Sequence, residues 1–379
     1  MKIALIGPTY PFRGGISHYT TLLHEHLKER HEVRFFSFSR QYPKWLFPGK
    51  SDVDPSQMHI QVPGVERVID SVNPLTWVHT ARILARNGFD VVIIPWWVSF
   101  WAPQFFTILK ILKKYSNTLI LFICHNVVAH ESKSYDKLLT KLVLKQGDYY
   151  IVHSREDENN LLDILPDARV CRHVHPTYDV FRFDDFEPQE CRRMLGVSGN
   201  LMLFFGFVRD YKGLTYLLKA MPEILAAVPV KLMVVGEFWK DKHYYLKLIE
   251  QLDVGDHVII IDQYVPNEDV GRYFCAADLV VQPYVSATGS GVVQIAFGFH
   301  KPVLATAVGC LPEIIDHGRT GFIVPPKSPE AIAEAAINLF TSKSKGFFEE
   351  NIKRQQYRFS WERLADKIEM LLADGIQYH

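Results

Sequence analysis

Short apolar runs alternate with longer amphipathic stretches along most of this chain, and the alternation predicts its secondary structure. Short apolar runs are typical of buried strands, while apolar residues three and four positions apart indicate one face of a helix. In the first half the runs predict strands at 3–6, 33–38, 91–94, 118–124, 149–152 and 169–174. In the second half they predict strands at 201–205, 231–235, 257–261, 279–282, 303–306 and 322–324. Strands that alternate with helices in this way predict an α/β protein with parallel, doubly wound sheets.

The alternation is interrupted once, by a polar stretch at 181–199, which we interpret as a domain junction. A chain of 379 residues is long enough for two domains. We therefore predict two Rossmann-like domains, at 1–185 and 186–358, that face a central cleft. The last segment, 359–379, has apolar residues at helical spacing and is expected to be a helix that packs back on the first domain.

The stretch 201–219 places two cations between a strand and a helix. Gly206 ends the apolar run, Arg209 and Lys212 follow in a loop, and Gly213 opens an amphipathic helix. Ligands of open α/β sheets bind at the carboxyl ends of strands, and the amino end of a helix favours anions. The pattern predicts a clamp for a diphosphate. The alternative is a pair of solvated loop cations without a ligand.

Two further loops have the small residues that allow a phosphate to approach the backbone. The segment 284–291, YVSATGSG, lies between the predicted strand at 279–282 and a helix that begins near Val292. It could hold a diphosphate from the side opposite Arg209 and Lys212. Gly14 and Gly15 follow the first strand, where they indicate either a phosphate loop or merely a tight turn.

Composition excludes several classes of protein. The 42 basic and 42 acidic residues balance, so no global field draws the chain to nucleic acid. The cysteines are dispersed without a CxxC pair, which is typical of reduced thiols in a cytoplasmic protein. The first apolar run is too short for a signal peptide, and no run approaches the ~20 apolar residues of a membrane helix. We expect a cytoplasmic protein that can also rest on the inner face of a membrane.

An aromatic stretch follows the predicted strand at 91–94. It reads PWWVSFWAPQFF and contains Trp96, Trp97 and Trp101. One interpretation is a buried aromatic core. The other is an exposed apolar patch that receives a lipid-linked acceptor or lies on a bilayer, since tryptophan favours interfaces. Trp45 and Phe47, in a basic and aromatic loop nearby, agree with the second interpretation.

The segment 283–326 resembles the carboxyl-terminal signature of the GT-B retaining nucleotide-sugar glycosyltransferases of family four. The residues that carry the resemblance are Gly291, Lys301-Pro302-Val303, Ala305-Thr306, Gly309, Glu313, Gly318, Gly321 and Pro325. The stretch from Gly206 to Gly213 is similar to the G-x5-K-G phosphate-binding element of that family. Gly14-Gly15 matches its glycine loop. The resemblance extends over nearly the whole chain and is more specific in the second half.

The resemblance implies a retaining glycosyltransferase of cell-surface polysaccharide synthesis that needs no cofactor and no metal. Its donor would be a nucleotide diphosphate-sugar, most often a UDP-sugar, bound by the second domain, and its acceptor a glycan or lipid-linked molecule on the first. His125 would contact the donor sugar near the reacting centre, although a histidine that merely caps a strand end is the alternative. The catalytic residues would be His125, Arg209 and Lys212. The donor-binding residues would be Gly14, Gly15, Gly206, Gln263, Tyr264, Val265, Thr288, Gly289, Ser290, Gly291 and Gln294.

The chain departs from the family pattern at two places. Phe207 stands where the family has an arginine, and Arg209 is expected to fill that role. The paired glutamates of the family are missing: one alignment puts Ala287 and Ile295 at these positions, and another puts Thr288 at the first. The polar side chains that could substitute are Thr288, Ser290 and Gln294.

Three other interpretations remain open. A nucleotide-sugar epimerase could use the same fold, and a non-catalytic nucleotide-sugar-binding protein would explain the missing glutamates. A nicotinamide dehydrogenase is disfavoured because no strand leads into GxGxxG. His130 and Glu131 lie close together, but their spacing fits no standard zinc pattern.

Overall fold

The computed structural model describes residues 1–43, 51–128, 134–183, 187–342 and 345–376. The chain divides into two compact units. The first comprises Met1–Pro55, His59–Val174 and Ser360–His379, and the second comprises Ser56–Met58 and His175–Phe359. The chain passes from one unit to the other after Val174, ahead of the polar stretch in which the sequence suggested a junction.

The first unit is built on a parallel sheet of seven strands in the order β3-β2-β1-β4-β5-β6-β7. Its strands are β1 Lys2–Ile6, β2 Glu32–Arg40, β3 Glu66–Asp70, β4 Val91–Trp96, β5 Leu119–Cys124, β6 Tyr149–Val152 and β7 Val170–Arg172. Its first helices are α1 Gly15–Lys28, α2 Pro74–Arg86, α3 Ala102–Tyr115, α4 Ser134–Leu144 and α5 Arg155–Ile164.

The second unit is built on a parallel sheet of six strands in the order β10-β9-β8-β11-β12-β13. Its strands are β8 Asn200–Phe205, β9 Val230–Val235, β10 Val258–Ile261, β11 Leu279–Gln282, β12 Val303–Thr306 and β13 Gly321–Val324. Its helices are α6 Pro188–Met194, α7 Leu214–Ala227, α8 Lys242–Gln251, α9 Asn267–Ala276, α10 Gly291–Gly298, α11 Leu311–Ile314, α12 Pro329–Ser342 and α13 Lys345–Arg354.

The two sheets confirm the predicted doubly wound architecture. In each, the strand order reverses beside the first strand, between β1 and β4 and between β8 and β11. The central strands are apolar throughout because helices cover both faces, and β4 and β5 are buried along their whole length. The reversal opens a crevice at the carboxyl ends of the strands on either side of it.

One strand was missed by the sequence analysis. β3 reads ERVID and lies at the edge of its sheet, where it pairs only with β2. Only Ile69 within it is fully buried. An edge strand with little apolar surface has no apolar run to reveal it.

The terminal helix, α14 Trp361–Ile376, belongs to the first unit and lies along α1. Its apolar face is buried, and Trp361 packs against Tyr19 with ring centroids 5.0 Å apart. Arg30 forms a 2.6 Å ion pair with Asp366, just beyond the end of α1. The buried face and the ion pair hold this helix against the first unit.

Candidate functional site

Two of the predicted phosphate loops flank the strand reversal of the second sheet. The loop with Arg209 and Lys212 follows β8, and the loop 283–290 follows β11. Because β8 and β11 are neighbours in a parallel sheet, both loops leave from the same edge. The second unit therefore brings these two predicted segments together at the position where doubly wound sheets bind ligands.

Glycines allow the backbones around this crevice to approach closely. Gly213 has φ +73°, and a Cβ built on it would lie 1.8 Å from the carbonyl oxygen of Pro283. Gly236, which follows β9, has φ +148°, and a Cβ there would lie 2.0 Å from the carbonyl oxygen of Gly206. No other residue type fits these two positions without moving backbone. The glycines thus fix the distance between the loop after β8 and its neighbours on both sides.

Arg209 lies close to two aromatic rings. The Cζ atom of its guanidinium is 5.0 Å from the ring centroid of Tyr211 and 4.9 Å from that of Trp239, the residue in the loop after β9. The side chain is half-buried. Contact with aromatic faces is favourable for a guanidinium, which is planar and carries its charge over the whole group.

Lys212 is held by a tyrosine. Its Nζ donates a 2.5 Å hydrogen bond to the hydroxyl oxygen of Tyr284 and lies 4.0 Å from the centroid of the same ring. Desolvation by burial lowers the pKa of Lys212 to about 8; Tyr211 opposes this shift and the nearby charge of Arg209 adds to it. An ammonium in this environment gains most from a bound anion.

The loop after β11 ends in a capped helix. Ser290 is the N-cap of α10, and its Oγ accepts a 3.4 Å hydrogen bond from the backbone N–H of Val293. Thr288 is half-buried and its carbonyl oxygen accepts from the N–H of Cys310, whereas Gly289 and Gly291 are exposed. The exposed glycines leave the first turn of α10 open to a ligand.

The segment after β10 adds an aromatic wall. Gln263 is exposed, Tyr264 is half-buried and Val265 is buried. The ring of Phe207 lies 6.4 Å from that of Tyr264 and 4.9 Å from that of Trp239. Phe207 therefore joins the ends of three neighbouring strands through ring contacts, where the family pattern led us to expect an arginine.

The predicted substitutes for the missing glutamates differ in burial. Gln294 is fully buried in α10, and neither polar atom of its amide has a hydrogen-bond partner among the described residues. Ala287 and Ile295, the positions aligned with the glutamates, are also buried among apolar side chains. Of the three polar substitutes, Thr288 and Ser290 remain at the loop surface or the helix cap.

Three residues that the sequence analysis did not single out shape the site. Tyr211 and Trp239 stack on Arg209, and Tyr284 binds Lys212. In the sequence, their role was indicated only by their positions next to the cations or shortly after strands. An aromatic side chain at such a position is otherwise indistinguishable from core.

In the first unit, Gly14, Gly15 and His125 lie at the carboxyl edge of the sheet. Gly14 has φ +115° and precedes α1, whose first residue is Gly15. His125 directly follows β5, and its backbone N–H donates to the carbonyl oxygen of Trp96 at 2.8 Å. Tyr19, on α1, meets the His125 ring edge-on with centroids 4.4 Å apart. The glycine loop and His125 are thus linked through one helix of the same unit.

The aromatic stretch of the first unit is mostly core, which favours the first of its two interpretations over an exposed patch. Trp96 is 1% exposed and Trp101 is 0% exposed, while Trp97 is half-buried. Trp101 packs against Phe38 and Tyr42, with ring centroids 5.1 and 4.9 Å away. Neither Trp96 nor Trp101 can touch a bilayer or an acceptor while it is packed in this way. Trp45 and Phe47 lie outside the described residues.

The described residues contain neither a metal-binding cluster nor a membrane-spanning helix. Within residues 1–43, 51–128, 134–183, 187–342 and 345–376, no group of three or more histidine, cysteine, aspartate or glutamate side chains is arranged to hold a metal. His130 and Glu131 are not among the described residues. None of the described helices is both long enough and apolar enough to span a membrane.

Comparison with known proteins identifies relatives of both halves. The model of the family described as glycosyl transferases group 1 matches residues 199–342. An uncharacterized glycosyltransferase of Methanocaldococcus jannaschii is 32% identical over 179 residues, which are 46% of this chain and 45% of the relative. The chain therefore spans less than half of that relative. Spore coat protein SA of Bacillus subtilis is 24% identical over 400 residues, covering 97% of this chain and 98% of the relative.

Solved structures share the fold over the full chain. Sucrose-phosphate synthase from Thermosynechococcus elongatus superposes with a TM-score of 0.75 at 21% identity and covers 100% of both chains. Anabaena HepE in complex with UDP-glucose superposes with a TM-score of 0.74 at 18% identity, covering 99% of this chain and 100% of the other. These likenesses show the GT-B fold, as the sequence predicted.

Proposed function

We propose that this chain is a glycosyltransferase of the group 1 family, whose model matches residues 199–342, and that it moves a sugar from a UDP-sugar to a glycan or lipid-linked acceptor. The transfer would retain the configuration of the anomeric carbon and serve cell-surface polysaccharide synthesis. A similar structure, Anabaena HepE, is a complex with UDP-glucose. That complex supports a uridine nucleotide as the first donor to test.

The observation that carries this proposal is the pair of cations at the strand reversal of the second sheet. Arg209 contacts the rings of Tyr211 and Trp239, Lys212 is hydrogen-bonded to Tyr284, and the first turn of α10 follows the neighbouring strand. A diphosphate needs this combination of a planar donor, a compact charge and backbone N–H groups. A pair of merely solvated cations would not need these aromatic partners.

In the proposed mechanism, the enzyme stabilises the leaving diphosphate. As the bond between the anomeric carbon and the diphosphate oxygen breaks, negative charge grows on the nucleotide, and Arg209 and Lys212 would neutralise it. The first turn of α10 would add its N–H groups, and Ser290 its hydroxyl. Removing one such preorganised donor typically lowers kcat by about 100- to 1000-fold.

The acceptor is proposed to bind the first unit, with the sugar transferred near His125. This side chain sits at the carboxyl end of β5, and its ring is oriented by the edge contact with Tyr19. A histidine that only caps the strand would need no such orientation. The backbone of 263–265 is proposed to contact the nucleobase beside the wall formed by Phe207, Trp239 and Tyr264.

The direct test is product analysis with UDP-glucose and a panel of glycan and lipid-linked acceptors. We expect release of UDP that depends on the acceptor, and a product whose new bond has the anomeric configuration of the donor. Conversion of the sugar without any acceptor would instead identify an epimerase. Binding of UDP-sugars without release of UDP, across the whole panel, would favour the non-catalytic alternative.

The affinity for UDP is expected to fall as the pH rises above about 8. The pKa of Lys212 is lowered to about 8 in the free protein, and a bound diphosphate raises it because an opposite charge stabilises the ammonium form. Above about pH 8, Lys212 of the free protein is mostly neutral, so the binding of UDP requires Lys212 to take up one proton. The dissociation constant should then rise by up to about tenfold for each pH unit. Calorimetric titration with UDP over this pH range measures the effect.

The matched control is Lys212→Arg, since arginine stays protonated throughout this range. Its affinity for UDP, whatever its absolute value, should show no such fall with pH. If the wild-type affinity were constant to about pH 9.5, Lys212 would not be part of the nucleotide site.

A further inference from the structure

Tyr284 connects Lys212 with the amino end of α10. It lies two positions after the end of β11, and its side chain is completely buried. Its hydroxyl oxygen is 2.5 Å from Nζ of Lys212 and 2.9 Å from Oγ of Ser290. A single phenol therefore touches both the half-buried cation and the cap of α10.

The direction of these hydrogen bonds follows from their chemistry. A lysine ammonium has donors only, so the oxygen of Tyr284 must accept from Lys212. The hydrogen of the phenol is then free to point at Ser290, whose oxygen also accepts from the N–H of Val293. Lys212 thus donates to Tyr284 and Tyr284 to Ser290, while Val293 in the first turn of α10 donates to Ser290 from the other side.

Tyr284 itself has little freedom to move. Its backbone carbonyl oxygen accepts a 2.6 Å hydrogen bond from the hydroxyl of Thr306, and its ring lies 4.0 Å from the Lys212 ammonium. A lysine side chain has four flexible carbons, and ordering it on binding would oppose association. A buried, anchored tyrosine orders it in advance.

We propose that Tyr284 is a positioning residue that holds the Lys212 ammonium against the amino end of α10, so that both act on the same diphosphate oxygen atoms. This inference rests on the proposed function of the site. Lys212 donates one N–H to Tyr284, so its two other N–H groups can donate to a ligand. The hydroxyl hydrogen of Ser290 is left to donate to the ligand as well.

The groups that influence Lys212 come from several elements. Arg209 and Tyr211 face it from its own loop, Tyr284 from the loop after β11, and Ser290 acts through Tyr284 from the cap of α10. Cys310, beyond β12, lies near the Tyr284 hydroxyl. Replacing Tyr284 by phenylalanine removes one oxygen and leaves the other groups unchanged.

The test follows the titration of Lys212 in the protein without nucleotide. Amines are labelled with a limiting acylating reagent at several pH values, and the Lys212 peptide is quantified by mass spectrometry. The wild-type midpoint is expected near pH 8. Tyr284→Phe should lower it by about one pH unit, because a hydrogen bond to the charged form favours that form. Ser290→Ala, which removes the acceptor of the phenol hydrogen, should shift it in the same direction by less.

Two controls separate this role from a general structural one. Tyr244→Phe, at an exposed tyrosine of α8, should leave the Lys212 midpoint unchanged. Tyr284→Phe should also weaken UDP binding by about tenfold, the typical effect of one hydrogen bond to a charged group. An unchanged midpoint in Tyr284→Phe would overturn the inference.

The proposed function and this inference fail in different ways. If UDP does not protect Lys212 from labelling in the wild type, the diphosphate site is wrong and the inference falls with it, even where Tyr284→Phe still shifts the midpoint. If UDP protects Lys212 equally in wild type and Tyr284→Phe, with equal affinities, the site stands and the role of Tyr284 is wrong.

Discussion

Lys212→Ala is expected to lower kcat for sugar transfer by about 100- to 1000-fold. The Lys212 ammonium is half-buried, bound to Tyr284 and directed at the crevice between β8 and β11. Alanine leaves the growing negative charge of the diphosphate without its compact countercharge. Since the charge develops in the transition state, kcat should fall more than the affinity for the donor sugar. Steady-state kinetics with UDP-glucose and an active acceptor measure this.

The fold of this variant should survive. Burial disfavours the charged form of Lys212, so the native state loses no stabilising charge when the ammonium is removed. Tm is expected to change by no more than about 4 °C. The matched control is Lys219→Ala, an exposed lysine of α7, which should retain wild-type kinetics. Turnover by Lys212→Ala at the wild-type rate would defeat the diphosphate clamp.

Trp101→Ala is expected to lower the free energy of unfolding by about 3–5 kcal/mol. The indole of Trp101 is 0% exposed and packs among Phe38, Tyr42 and Phe100, with the Phe100 centroid 4.7 Å away. Alanine would leave a cavity that these rings cannot fill completely. Denaturant unfolding measured by circular dichroism gives the difference, provided that the first unit unfolds as one transition.

The matched control for this variant is Tyr115→Ala, at the end of α3. Tyr115 is 65% exposed, so its removal should change stability by no more than about 0.5 kcal/mol. Vesicle binding of the folded variants tests the opposite interpretation. If Trp101→Ala kept wild-type stability but bound vesicles or acceptor less well, the aromatic stretch would be an external surface after all.

The contrast between the two aromatic clusters shows how far sequence reasoning reaches. The stretch around Trp96–Trp101 and the residues Phe207, Tyr211 and Trp239 are all aromatic segments that follow strands. The first is mostly core, and the second surrounds a cation. Sequence gives the type and spacing of side chains, but burial depends on which elements cover them. The sequence analysis therefore left both interpretations of the first cluster open and overlooked the second.

The fold was predictable because its signals are local. Strands buried by helices on both faces are largely apolar, and the apolar positions of the helices recur every three to four residues. Twelve of the thirteen strands in the described residues were therefore anticipated at or near their observed positions. The phosphate loop near 206–213 could be predicted from its glycines and cations, because close backbone approach and phosphate binding each require a particular residue type. The edge strand β3 has no apolar run, so the sequence did not predict it.

The sequence by itself determined the two parallel sheets and the loops that follow β8 and β11. Only the tertiary structure decided that Gln294 is buried, that Trp101 is core, and that Tyr284 binds Lys212. The physical reason is distance along the chain. Hydrophobic periodicity and turn chemistry depend on residues that are close together in the sequence. Burial and hydrogen bonding between residues as far apart as Lys212 and Tyr284 depend on the strand order, which no local pattern encodes.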